Sequence, residues 1–267
     1  MENLSIEKYL LLAYVIIKRR LVYKIDTIML MSLQICGPII MLFVWSAVYL
    51  ASGVTSISNF TLVQITTYFF VVAAISAVSP GTSWGIISDV KVGNVFMYLT
   101  RPLSYVWVVI TGALANFAMD ATVVAIPILV ILYVLTNALL STPTLLLFVL
   151  SMFISFFLSL SFEFFLGYMS FFIVEVAGII NIFYFIVEFL GGGLIPLNLL
   201  PQGISSITSL LPFQFILYYP PAIFTHVISV SQAMSALPLA AFWFAVMLVL
   251  NIGIWYAARE HMDVVGV

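Results

Sequence analysis

Residues 144–190 read TLLLFVLSMFISFFLSLSFEFFLGYMSFFIVEVAGIINIFYFIVEFL. The run is 47 residues long, and its only charges are Glu163, Glu175 and Glu188. A helix crosses the ~30 Å hydrocarbon core of a bilayer with about 20 apolar residues. The run is therefore too long for one crossing and right for two, with a hinge near Gly167 to Ser170. That reading makes the chain an integral membrane protein, and composition agrees. Hydrophobic residues make up 64% of the 267 and charged residues 7%, against roughly 25% charged in a soluble domain. Lipid must be the solvent for most of the chain. The net charge of −2 offers no basic patch and argues against a nucleic-acid partner. Cys36 is the single cysteine, so neither an intrachain disulfide nor a cysteine zinc site can form.

Working outward, the spacing of apolar runs predicts an all-α integral membrane fold with six transmembrane helices. Residues 1–26 are expected to form a cytoplasmic interfacial helix. Its apolar stretch, 9–17, is too short to cross, and Lys18, Arg19 and Arg20 follow it. Leu11 and Val15 fall on the same side as Lys8 and Arg19, so the amphipathicity is imperfect. The six-span domain, 27–267, begins with spans over 27–52 and 61–80. A charged segment at 81–104 follows, then a span at 105–136 and a turn at 137–143. The two spans of 144–190 come next, then a Gly- and Pro-rich stretch at 191–236 and a last span at 237–258. With six spans and both termini inside, all eight Lys and Arg residues face the cytoplasm and none faces out. Cations flanking spans favour the cytoplasmic side.

Residues 81–104 are then the only sizeable cytoplasmic loop between spans. One reading is a solvated connector with positive-inside anchors. The other is a docking surface for a partner, because Trp84, Ile87, Val90 and Met97 recur with partly helical spacing. Arg101 would anchor the loop at the membrane surface with its head in water, and Pro102 suits the first turn of a helix.

The run GTSWGIISDVKVGNVFMYLTRPLS resembles the cytoplasmic segment of type-2 ABC transporter permeases. The matching residues are Ile86, Ile87, Gly93, Leu99, Arg101, Pro102, Leu103 and Ser104. LLPFQFILYYPPAIF at 210–224 resembles a second segment of that family. The resemblance implies an exporter subunit in a prokaryotic cell membrane. Such a subunit moves a small or amphipathic substrate by alternating access, paired with a second permease and two ATPase subunits. It also implies that ATP and Mg bind the partner. The sequence is consistent with this, since it contains no G-x-x-x-x-G-K-[ST] phosphate cradle. Gly191, Gly192 and Gly193 are not followed by a lysine, which leaves flexible or tightly packed backbone as their reading.

Residues 191–236 hold Pro196, Pro201, Pro212, Pro220 and Pro221. Irregular backbone at membrane depth survives only against protein or water, so the stretch lies at the outer surface or re-enters as a hairpin. The family resemblance favours the hairpin between spans five and six. Phe213 and Phe215 fit either a gate on the translocation pathway or an aromatic belt at the interface.

Intramembrane acids are costly and usually face a cavity or partner. Asp120 reads as the deepest, without a cation in its own span, and as protonated, hydrogen-bonded or lining a pathway. Glu163 and Glu175 flank the hinge and are expected in water at the cytoplasmic boundary, and Glu188 near the outer end is a further wet candidate. An alternative function, a transporter driven by an ion gradient, would use Asp120 or Glu163 as its proton carrier. A membrane enzyme would need a polar constellation at a membrane face, and none is visible.

Overall fold

The computed structural model describes residues 6–22, 24–58, 60–99, 103–136 and 141–264. Helices dominate. In chain order they are α1 (Ile6–Val22), α2 (Lys24–Ser52), α3 (Leu62–Ala77), α4 (Thr82–Val92), α5 (Asn94–Leu99), α6 (Tyr105–Asp120) and α7 (Ile126–Thr136). Then come α8 (Thr142–Tyr168), α9 (Ala177–Leu190), α10 (Gln202–Thr208), α11 (Gln214–Leu217), α12 (Tyr219–Phe224) and α13 (Val230–Val264). Among the described residues, the only sheet is a two-residue ribbon, in which Ser56 pairs with Thr61 and Ile57 with Phe60.

Local chemistry sets the breaks. Thr61 caps α3 with a reciprocal pair: its hydroxyl accepts from Gln64 N at 3.3 Å, and its own N–H donates to Gln64 Oε1 at 3.0 Å. Ser141 caps α8 in front of Pro143. α3 ends before Pro80, and Gly81 turns the chain at φ +53° into α4. Between α6 and α7, residues Ala121–Ala125 form a π-helical turn. Pro127 lies just beyond it, and a proline ring displaces the carbonyl four residues earlier. The wider turn accommodates that displacement.

Among the described residues, five segments are long and apolar enough to cross a bilayer: Ser32–Ser52, Leu62–Val92, Tyr105–Val134, Thr142–Phe171 and Val230–Glu260. The expected pair of spans in 144–190 is realised unequally. α8 has 27 residues, but α9 has 14 and reaches only about 21 Å. The irregular stretch around Glu175 delays the start of α9, and the triglycine ends it.

The main core joins α3, α8, α11 and α12 around Tyr68, Leu158, Phe215 and Ile223. The 191–229 segment packs deep against α8. Ser155 donates to the Ile216 carbonyl at 2.6 Å. The Phe213 ring lies 5.8 Å from Phe162 and 6.1 Å from Phe183. The triglycine belongs to this packing. A side chain on Gly192 would strike the Tyr68 hydroxyl at 2.8 Å, and one on Gly191 would strike the Phe213 carbonyl oxygen at 2.9 Å.

α1 runs lengthwise along α6. Ser104 N donates to the Tyr9 hydroxyl at 3.2 Å, Ile16 meets Gly112, and Arg20 reaches Asp120. Leu11, Val15 and Arg19 share its exposed side, so the mixed face read from the sequence is present.

Candidate functional site

α4 is the structural centre of the segment read as a partner loop. Its N-terminus has a glycine cap and no capping side chain of its own. Glu163 of α8 supplies the missing acceptor, since Ser83 N donates to its Oε2 at 2.8 Å. Its other oxygen, Oε1, accepts from the Tyr184 hydroxyl at 2.6 Å. A carboxylate at a helix N-terminus satisfies unpaired N–H groups and complements the macrodipole. Glu163 is 2% exposed. The expectation of a wet acid at the cytoplasmic boundary is therefore wrong: the hinge-side position is filled by α4, which covers the carboxylate. Just beyond it, a Cβ on Gly167 would lie 2.7 Å from Ile86 Cδ1 and 2.8 Å from Ile86 Cβ. The two helices touch so closely there that only glycine fits.

This docking decides which loop residues are free. Ile87 is buried among Leu166, Val176 and Ile180, and Val90 is half-buried against the cluster around Ile86 and Tyr105. Ile87 is thus turned inward and Val90 is only partly accessible, whereas the spacing predicts both on an open face. Trp84, Ser88, Lys91 and Val92 are exposed and recur at positions i, i+4, i+7 and i+8, one face of a helix. Met97 on α5 is exposed as well. Ser88, Lys91 and Val92 join Trp84 on this face only once α4 is docked, because apolar spacing alone does not show the helical phase. Arg101 and Pro102 lie outside the described residues.

Asp120 also departs from expectation. Arg20 Nη1 bonds its Oδ1 at 2.8 Å and its Oδ2 at 2.9 Å. The acid that had no cation in its own span is paired from α1, 100 residues away in sequence. The two side chains are 24% and 20% exposed, so the pair is only partly dehydrated.

Two cavities meet at the α3–α4 break and share Ser76, Ser79 and Gly81 in their walls. One, of about 280 Å³, lies between α3, α8, α9 and α11 and has Glu163, Tyr184 and Glu188 on its wall. The other, of about 740 Å³, opens among α1, α2, α4 and α6 and is bordered by Arg19, Arg20, Asp89 and Asp120. Phe213 and Phe215 line neither. Phe215 is buried against Tyr219, at 5.0 Å between ring centroids, and Phe213 sits in the aromatic packing described above. No group of three or more metal-ligating side chains occurs among the described residues.

The geometry is that of a multi-pass, all-helical membrane protein with a short helix wedged beside its polar cavities. Residues 35–263 match the family model described as ABC-2 family transporter protein, and the chain belongs to that family. It is a membrane-spanning permease component of an ABC transporter, which implies an ATPase partner. No curated protein matches the chain.

Proposed function

We propose that this chain is the permease subunit of an ATP-driven exporter, with ATP and Mg bound by separate ATPase subunits that dock on the outward face of α4. One observation carries the reading. α4 is fixed to the bundle on one side by Glu163 and Gly167, and on the other it presents Trp84, Ser88, Lys91 and Val92. An aromatic side chain such as Trp84 is the kind enriched in the buried centre of protein interfaces. A push on that face passes to α8 through the Glu163 contacts and to α3 through the short Pro80–Gly81 turn. The triglycine does not suit a nucleotide phosphate. It is packed against Tyr68 and the Phe213 backbone, so its N–H groups cannot form an open cradle.

In this reading α9 completes a sixth crossing together with the segment after it, and 191–236 re-enters the membrane. The Ser155–Ile216 and Phe162–Phe213 contacts support this, since Ser155 lies 13 residues beyond Thr142 in α8, about 20 Å along the helix. Both termini and α4 face the cytoplasm, as the cation distribution favours. Two permease subunits, identical or related, and two ATPase subunits form the working unit. Cargo passes outward by alternating access, with the 280 Å³ cavity as part of its route. The ion-gradient alternative needs Asp120 or Glu163 to release and regain a proton. Each is instead held as an acceptor, Asp120 by Arg20 and Glu163 by Ser83 N and Tyr184, which favours the ATP-driven reading.

The test is co-purification with the ATPase partner. A Trp84→Asp, Val92→Asp double variant should fold as wild type and lose its ATPase in detergent. Retention of the ATPase at wild-type stoichiometry would make α4 a mere connector.

A further inference from the structure

The 740 Å³ cavity has walls that the permease reading does not use. Its size falls within the range of ligand sites, about 300–1,000 Å³. Four charged side chains border it: Arg19, Arg20, Asp89 and Asp120. Three are already engaged within the chain. Arg20 and Asp120 pair with each other. Asp89 Oδ1 accepts from Asn94 Nδ2 at 3.3 Å, and its Oδ2 accepts from the Tyr105 hydroxyl at 3.1 Å. Arg19 has no hydrogen-bond or ion-pair partner among the described residues.

Two amides share its situation. Gln34 of α2 and Asn116 of α6 line the cavity, and neither side chain has a hydrogen-bond partner among the described residues. Both lie in segments apolar enough to span a bilayer. Polar groups in such segments are costly unless a partner or a water-filled cavity meets them. The cavity thus offers one free guanidinium and two free amides. Leu12, Ile16, Val108 and Val109 line it too and give it an apolar wall.

We propose that this cavity binds the head of an anionic amphiphile, a phosphate carrying an alkyl tail. The anion lies against the Arg19 guanidinium, whose planar fork of donors matches two oxygens of such a head. Gln34 and Asn116 donate to its remaining oxygens. The tail follows the wall of Leu12, Ile16, Val108 and Val109. An alkyl cation finds no free carboxylate here, because both acids are occupied. The inference rests on the permease reading in one respect only: it makes this ligand a candidate cargo taken up from the cytoplasmic side.

The test is equilibrium binding to the permease–ATPase complex in nanodiscs of zwitterionic lipid, without ATP. The probes are radiolabelled dodecyl phosphate, inorganic phosphate and dodecyltrimethylammonium. Dodecyl phosphate should bind saturably at one site per permease chain. Arg19→Gln should weaken it about tenfold, the loss expected for one charge-assisted contact. Asn116→Leu should weaken it less, and Arg19→Lys should retain part of the affinity. Lys18 is exposed and outside the cavity wall, so Lys18→Gln should bind as wild type. Arg19 is itself exposed, so its substitution should leave the melting temperature unchanged. Equal losses for Lys18→Gln and Arg19→Gln would reduce the effect to surface charge and overturn the site. Unchanged binding in Arg19→Gln, or tight binding of dodecyltrimethylammonium, would also overturn it. Inorganic phosphate bound as tightly as dodecyl phosphate would leave a small-anion site and no amphiphile. Because ATP is absent, a negative result overturns this site alone, whereas loss of the permease reading would show in the co-purification described above.

Discussion

Asp120 and Glu163 look alike in the sequence, each a lone acid in an apolar helix, yet the structure uses them in opposite ways. Asp120 faces a wide cavity, partly exposed to water, and fastens α1 to α6 through Arg20. Glu163 is buried and fastens α4 to α8 through a backbone N–H and a phenol. The first is a charge paired with a charge in a partly wet place, where the attraction is screened and worth little. The second accepts from two neutral donors in a dry place, where removing it strands both. Burial, more than the charge itself, sets what each acid contributes.

The largest effect should come from Glu163→Leu. It leaves Ser83 N and the Tyr184 hydroxyl without an acceptor, at about 1–3 kcal/mol each. Folded yield in detergent should collapse. Glu163→Gln, which keeps one acceptor oxygen, should fall between Leu and wild type. If Leu at 163 folds as well as wild type, Glu163 does not hold α4 and the contrast with Asp120 disappears.

Gly167→Ala should come next. The added methyl meets Ile86 at 2.7 Å, and overpacking of this kind costs about 1–3 kcal/mol. Gly178→Ala is the matched control, because nothing lies within 4 Å of a Cβ there. Thermal melts of the two variants should differ clearly, with only the first lowered. Equal melts would mean that α4 stands off from α8.

The smallest effect belongs to the Arg20–Asp120 pair. A double-mutant cycle of Arg20→Ala and Asp120→Asn should return a coupling of about 0.2–1 kcal/mol. A coupling of several kcal/mol would mean that this pair is as dry as the Glu163 site.

Much of the fold was legible because its punctuation is chemical. Pro80–Gly81 ends α3, Ser141 and Pro143 start α8, and the triglycine ends α9, all at or near positions read from the sequence. The inward face of α4 was not legible. In a helix meant for lipid or for a packed bundle, apolar residues occur all round, so spacing does not tell which side is buried. Ile87 and Trp84 look equivalent until Gly167 draws Ile86 and Ile87 inward. The Arg20–Asp120 pair was hidden for a different reason. It joins two helices far apart in sequence, and no local pattern encodes which helices will lie side by side. The short α9 was missed because hydropathy counts apolar residues and does not see where hydrogen-bonded turns begin and end.

The central claim is that a separate ATPase subunit sits on the outward face of α4, and cysteine cross-linking tests it most directly. In a Cys36→Ser background, Val92→Cys and Ile87→Cys differ only in which side of one helix carries the thiol. With a cysteine placed on the ATPase surface and a short bifunctional reagent, Val92→Cys should form a permease–ATPase adduct, and Ile87→Cys should form none. An adduct at neither Val92, Lys91 nor Trp84, while cysteines elsewhere on the cytoplasmic side cross-link readily, would contradict the account.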